Sequence, residues 1–117
     1  MPDELHMSVD DTLAFAQSYL DSGRPFHAHE VLEALWKTRP ATERDLWQGL
    51  AQVAVGFTHA MRGNTIGATT LLRRGAGRVA NYTGDTHGVD IAGVLCWAQA
   101  LADAPDGEPP PLTLRES

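Results

Sequence analysis

Apolar residues recur at intervals of three or four along residues 44–62, and this spacing constrains the fold more than any other feature. An α-helix brings residues i, i+4 and i+7 onto one face, whereas a half-buried strand needs strict alternation. The repeat continues for about five turns, which predicts one long central helix that packs on several sides. Its apolar face consists of Leu46, Leu50, Val53, Phe57 and Met61.

Small residues share another side of the same segment, at Gly49, Gly56 and Ala60. A glycine inside a helix costs about 1 kcal/mol relative to alanine. Small side chains let a neighbouring helix approach closely, and that packing can offset the cost. We therefore expect a close helix–helix contact on this side.

Turn residues and capping residues divide the chain into five helical segments and leave no convincing strand. Short connections favour antiparallel neighbours, so we predict an all-α, single-domain, up-and-down bundle of about five helices. The predicted N-caps are Ser8, Thr42, Asn64 and Asp90. The predicted helices cover residues 8–22, 25–39, 42–62, 64–82 and 90–104.

The domain organisation follows from the ends of the chain. A length of 117 residues suits one core. We expect residues 1–7 to form a loose N-terminal tail and residues 8–104 to form the bundle. Residues 105–117 begin with a proline-rich run that cannot be helical, so we expect an extended C-terminal tail over the surface.

Composition narrows the classes of function. The formal net charge of -6 and the pI of about 5.2 argue against nucleic-acid binding. No stretch is long and apolar enough to span a bilayer, so we expect no membrane insertion. The single cysteine, Cys96, lies in an apolar run, and we expect it to be buried and reduced in the cytoplasm. The sequence leaves open whether the chain forms a homo-oligomer or binds a protein partner.

His29 and Glu33 are four residues apart on the second predicted helix, so their side chains meet on one side of it. Imidazole and carboxylate both ligate divalent transition metals. The third helix places further polar residues in a narrow sector, and they converge on this pair if the sector faces the second helix. The predicted polar site comprises His29, Glu33, Arg44, Gln48, Gln52 and His59. The candidate metal ligands are His29, Glu33 and His59, and the candidate cofactor is a divalent metal ion.

A structural role explains the same residues. Glu33 could pair with Arg44 across the interhelical turn, and His29 could donate a hydrogen bond to Glu33 or Gln52. Such a network would fix the register of two helices. The polar sector of the third helix could also be its solvated face. The sequence indicates no nucleophile with an adjacent base and no dense acidic cluster, so we expect binding or structure rather than catalysis.

Three arginines, Arg73, Arg74 and Arg78, form a second polar cluster on the fourth helix. They could hold a small anion, since guanidinium suits bidentate oxyanion contacts. A solvated helix face explains the same residues.

Three motifs together carry a family resemblance. They are His29-x-x-x-Glu33-x-x-Trp36, Trp47-Gln48-Gly49-Leu50 and His59-x-x-Arg62-Gly63-Asn64. The pattern resembles the domain of unknown function 309 over roughly residues 9–104. The resemblance implies an all-α fold, a prokaryotic and mainly bacterial origin, and metal binding at His29 and Glu33, but it implies no reaction.

Two functions follow as hypotheses. The first is a polar interhelical site around the HxxxE motif that binds a divalent metal or a small ligand. The alternative is a structural or protein-interaction module in which the motif is a buried polar network. The turn at residues 62–68 is similar to the helix pairs of tetratricopeptide-like repeats, which favours the alternative.

Overall fold

Five α-helices and one 3₁₀ turn account for most of residues 8–115, the part of the chain that a computed structural model describes. The predicted all-α class is confirmed, and the described residues contain only one isolated β-bridge, between Val89 and Arg115. The predicted tail at residues 1–7 lies outside the described residues. The helices are α1 (Val9–Asp21), α2 (Pro25–Trp36), α3 (Arg44–Met61), α4 (Thr65–Asn81) and α5 (Ile91–Asp103), and the 3₁₀ turn is Ala41–Glu43.

Three of the four predicted N-caps are confirmed. The side chains of Ser8, Asn64 and Asp90 each accept the backbone N–H three residues ahead, at 3.0 Å. The prediction for Thr42 is wrong, because residues 41–43 form the 3₁₀ turn and Glu43 takes the N-cap position without a side-chain cap. α2 also ends at Trp36, earlier than the predicted residue 39.

The helices pack in chain order, α1 on α2, α2 on α3, α3 on α4 and α4 on α5, so α3 lies between α2 and α4. The predicted apolar face of α3 forms much of the core, where Leu46, Leu50 and Val53 are at most 2% exposed. Met61 is an exception at 55% exposed, because it ends the helix at the margin of the bundle.

The close contact predicted from the glycines of α3 is confirmed, and its partner is α4. A Cβ atom on Gly49 would stand 2.7 Å from Cγ2 of Val79 and 2.9 Å from the carbonyl oxygen of Gly75. A Cβ atom on Gly75 would stand 2.7 Å from the carbonyl oxygen of Gly49. The two backbones therefore touch at this point, and no larger residue fits either position without a shift.

The expectation that Cys96 is buried is wrong, since its side chain is exposed. α5 contacts α4 and turns Val94, Trp97 and Leu101 toward the core. Cys96 lies on the opposite side of the helix and is therefore exposed, although its neighbours in the sequence are apolar.

The C-terminal segment packs more firmly than its composition suggests. Leu112 and Leu114 are 4% and 3% exposed. Gln17 of α1 forms two hydrogen bonds with this segment. Its Nε2 donates to the carbonyl of Leu112 at 2.9 Å, and its Oε1 accepts a hydrogen bond from the N–H of Leu114 at 2.8 Å. Trp97 Nε1 adds a hydrogen bond to the carbonyl of Pro110 at 2.7 Å.

A membrane-spanning α-helix needs about 20 predominantly apolar residues. Among the residues described, no helix combines the length and the hydropathy that a bilayer span requires.

Candidate functional site

A groove runs over α3 between α2 and α4, and it holds a cavity of about 300 Å³. α3 supplies the floor, since residues 48, 52 and 55 follow the i, i+4, i+7 pattern of one helix face. α2 supplies one wall and α4 the other. The polar lining residues are His29, Glu33, Gln48 and Gln52, and the apolar ones are Trp36, Ala51, Val55 and Leu71.

His29 and Glu33 meet on the α2 wall. His29 Nε2 lies 3.0 Å from Oε2 of Glu33, and His29 Nδ1 lies 3.3 Å from the carbonyl oxygen of Phe26. Both ring nitrogens therefore face acceptors, whereas a neutral imidazole carries a single N–H. With its proton on Nε2 the ring donates to the Glu33 carboxylate, and with its proton on Nδ1 it donates to the Phe26 carbonyl.

Gln52 brings an unsatisfied polar atom to the floor of the groove. Its Oε1 is shielded from solvent and has no hydrogen-bond partner among the described residues. A buried acceptor without a donor costs about 1–3 kcal/mol. Gln52 also lines the cavity, so a donor that reaches this oxygen from the groove would satisfy it.

The polar groups of the lining favour a ligand with hydrogen-bond donors over one with hydrogen-bond acceptors. Glu33 contributes a carboxylate whose side chain is 50% exposed. The described lining residues include no lysine or arginine. The groove therefore has negative character at its α2 wall and a free acceptor at its floor.

Two predicted site residues lie elsewhere. Arg44 places its guanidinium over the ring of Trp36, 5.7 Å from the centroid, and in the described part of the chain no ion pair joins it to Glu33. His59 turns toward the α3–α4 connection, where its Nδ1 lies 3.1 Å from Nδ2 of Asn64. The groove thus unites four of the six predicted residues.

The three predicted metal ligands do not form one cluster. Within residues 8–115, no three His, Cys, Asp or Glu side chains come together in a group that could hold a metal ion. His29 and Glu33 have suitable ligand atoms, and only amide oxygens or water could complete their coordination in this groove.

The hydrogen bond between His29 and Glu33 stays within α2, so it does not tie α2 to α3. A polar cluster that does connect separate segments lies at the N-terminal end of α3, around Glu43. Its carboxylate accepts hydrogen bonds from Nε and Nη2 of Arg39 at 2.8 and 3.0 Å and from Nε1 of Trp47 at 2.9 Å. His87 Nε2 donates to the same carboxylate at 3.1 Å.

The Glu43 cluster is nearly closed to solvent, since the Glu43 side chain is 13% exposed. Hydrogen bonds from Arg39, Trp47 and His87 outweigh the effect of burial and lower the pKa of Glu43 to about 2. The spacing of Arg39, Glu43 and Trp47, at i, i+4 and i+8, is a local signal that our sequence analysis missed.

His87 had no evident partner in the sequence, yet it closes this cluster from a loop. Its backbone adopts a φ of +53°, which a residue with a side chain rarely takes. The carboxylate of Asp85 accepts the backbone N–H of His87 at 2.9 Å, and the imidazole lies 5.5 Å from the ring of Trp47. Glu43 and Trp47 thus hold residues 85–87 against the start of α3.

Two of the three arginines on α4 pair with carboxylates. Arg78 contacts Asp45 at 3.2 Å, and Arg73 contacts Asp103 at 3.2 Å. All four side chains are at least one-third exposed, as expected of a solvated helix face.

Comparisons with known proteins give one family and one named relative. YpuF of Bacillus subtilis (strain 168), an uncharacterised protein, is 38% identical over 66 residues, which cover 50% of this chain and 38% of YpuF. This chain therefore aligns with well under two thirds of YpuF. No solved structure matches the chain.

The family model matches residues 13–71, a shorter range than the expected residues 9–104. That range begins in α1, ends in α4 and includes every described residue that lines the groove. Since it spans half of the 117 residues, the chain belongs to the family described as a domain of unknown function (DUF309).

Proposed function

We propose that this domain binds a small ligand in the groove over α3, and that the ligand supplies hydrogen-bond donors. The observation that carries the proposal is the unpartnered Oε1 of Gln52 beside a cavity of about 300 Å³. Binding sites are commonly concave, mostly apolar and equipped with a few polar groups, as this groove is.

The composition of the lining supports the same conclusion. The lining combines apolar side chains, those of Trp36, Val55 and Leu71, with the polar groups of Glu33 and Gln52. A ligand with an apolar part and a donor group matches both kinds of lining residue. Its donor group could also pair with the Oε1 of Gln52, which has no hydrogen-bond partner among the described residues.

The test compares wild-type protein with Gln52→Leu in thermal melting against a panel of small amines, amides and alcohols. A ligand at a hundred times its Kd stabilises the folded protein by about 2.7 kcal/mol, a readily measured rise in Tm. We expect at least one compound to raise the Tm of the wild type and to lose most of this effect with Gln52→Leu.

Gln99→Leu is the matched control, because Gln99 is exposed on α5 and outside the groove. It should respond as the wild type does. The proposal fails if no compound raises the Tm, or if Gln52→Leu responds like Gln99→Leu.

A divalent metal ion is a second candidate for the same groove. The supporting observation is His29, whose two nitrogens both face oxygen atoms. The Phe26 carbonyl would fix the tautomer through Nδ1 and leave Nε2 for the metal, a common arrangement of metal-binding histidines. His29 and Glu33 would hold the ion with an amide oxygen from Gln48 or Gln52.

Elemental analysis of untagged protein tests the metal directly, together with the Tm in the presence of zinc, manganese or nickel chloride. We expect stoichiometric metal and a rise in Tm that His29→Asn abolishes. His27→Asn is the matched control, since His27 is exposed and does not line the groove. Absence of both bound metal and a rise in Tm would remove this candidate.

The interaction-module alternative finds support at a different surface. Phe26 and Met61 are 41% and 55% exposed, and both border a depression of about 340 Å³. Arg62 lies over the Phe26 ring at 5.9 Å. Exposed apolar groups side by side favour protein contact. Sedimentation of the wild type and Met61→Ser tests this role, because self-association through this surface must weaken in the variant.

A further inference from the structure

We infer that the ligand of the groove is a small organic ammonium ion with a short alkyl chain. The inference rests on the proposed ligand-binding function and names the class of ligand. It follows from three properties of the described lining residues, which are their charge, their unused acceptors and their apolar side.

The charge of the groove selects against anions. Glu33 supplies a carboxylate, and the described lining residues contribute no lysine or arginine. The guanidinium of Arg44 lies over the ring of Trp36, 5.7 Å from its centroid. An acidic chain of net charge -6 adds to the attraction for a cation.

The unused acceptors select for a cation with several N–H groups. Glu33 uses Oε2 for His29, which leaves its Oε1 for a ligand. Gln52 contributes a second acceptor from α3. An ammonium group has three donors and no acceptor, so one such group can satisfy the α2 wall and the α3 floor together.

The apolar side selects for an alkyl chain on the ammonium. Ala51 and Val55 of α3 and Leu71 of α4 supply apolar lining beside the polar residues. A volume of about 300 Å³ holds roughly ten water-sized groups, enough for a chain of about five carbons with its head group. Burial of such a chain is favourable because it removes apolar surface from water.

Three probes of one length and different head groups test the inference. Pentylammonium chloride, 1-pentanol and sodium pentanoate are titrated into the ¹⁵N-labelled protein, and Kd values come from shifts of the Gln52 amide and Trp36 indole signals. We expect pentylammonium to bind most tightly, 1-pentanol more weakly, and pentanoate weakest of the three.

Glu33→Gln and Glu30→Gln form a matched pair of variants. Both remove one negative charge from α2, but Glu30 is exposed and does not line the groove. We expect Glu33→Gln to weaken pentylammonium roughly tenfold and to leave 1-pentanol nearly unchanged, since a charged hydrogen bond is lost only with the cation. Glu30→Gln should affect neither.

The outcomes separate the ligand class from the proposed function. If 1-pentanol or pentanoate binds as tightly as pentylammonium, or if both variants weaken pentylammonium equally, the ammonium class is wrong while groove binding stands. If no probe shifts the groove signals, the ammonium class is wrong, and the broader compound panel on Gln52→Leu decides the proposed function by itself.

Discussion

Two histidine–glutamate pairs lie among residues 8–115, and they differ in how completely their atoms are partnered. His29 and Glu33 lie one turn apart on α2, at an open groove, with Glu33 50% exposed. His87 and Glu43 come from distant parts of the chain, and Glu43 is 13% exposed. The same two residue types therefore serve in two environments.

Their surroundings explain the difference. Glu43 also accepts hydrogen bonds from Arg39 and Trp47, so its carboxylate is saturated by the protein. In the groove beside Glu33, Oε1 of Gln52 has no hydrogen-bond partner within residues 8–115. The saturated carboxylate of Glu43 has no acceptor site left for a ligand, whereas the groove beside Glu33 is where we propose that a ligand binds. The two pairs therefore differ in the number of hydrogen bonds that surround them, although their residue types are the same.

The largest expected effect is loss of stability on removal of the Glu43 carboxylate. Glu43→Ala leaves Arg39, Trp47 and His87 without their shared acceptor, and we expect a loss of about 3 kcal/mol in the free energy of unfolding. Urea denaturation at neutral pH measures it. Glu33→Ala should lose less than about 1 kcal/mol, because its pair is partly exposed. Equal losses would contradict the comparison.

Acid should act through the same carboxylate. The pKa of Glu43 is lowered from 4.5 to about 2 in the folded state, so the unfolded chain binds more protons between these values. The resulting stability is complete above pH ~4.5 and is lost as pH falls toward 2, by at most about 3 kcal/mol.

Denaturant titrations of the wild type and Glu43→Gln between pH 5 and pH 2 isolate this term. The stability difference between them should shrink as pH falls, since the variant has no carboxyl to titrate at this position. A difference that stays constant over this range would show that Glu43 is not the group responsible.

Paired asparagine substitutions compare the two histidines. His87→Asn keeps a residue type that tolerates positive φ but loses the contact with Glu43, and we expect a loss of about 1 kcal/mol. His29→Asn loses one exposed i, i+4 contact and should lose less than about 0.5 kcal/mol. Denaturation of both variants checks the order, and a larger loss for His29→Asn would reverse the assignment of roles.

One expected effect, a gain of stability, has the opposite sign. Gln52→Leu removes a shielded acceptor without a donor, so we expect it to gain up to about 1 kcal/mol of stability. Gln99→Leu, at an exposed position, should change stability little. A loss of stability in Gln52→Leu would indicate that its amide has a structural partner, and the groove would lose its strongest argument.

Much of the fold follows from local sequence signals. The i, i+4, i+7 pattern of α3 predicted a central helix, and Ser8, Asn64 and Asp90 cap their helices as expected. The prediction for Thr42 failed because Glu43, one residue later, takes the N-cap position and gives its carboxylate to Arg39, Trp47 and His87. Only the last of these partners is remote in sequence.

The sequence predicted which face of α3 carries the candidate site residues, but not which turns of the helix reach the groove. Gln48, Gln52 and His59 share one sector of α3, and the structure turns Gln48 and Gln52 into the groove. His59 lies about 10 Å beyond Gln52 along the axis, too far to join them. Helical periodicity fixes the angle of a side chain, whereas the packing of α2 on α3 fixes which turn it faces.

The sequence by itself determined the helices, most of their caps, the close approach of α3 and α4 at glycine, and the meeting of His29 with Glu33. Each depends on interactions within a few residues or on residue size. Tertiary structure alone decided that His87 reaches Glu43, that Arg44 covers Trp36, and that Oε1 of Gln52 is shielded without a partner in the described part of the chain. Those outcomes depend on how neighbouring helices and loops align, and a linear pattern of residues does not encode that alignment locally.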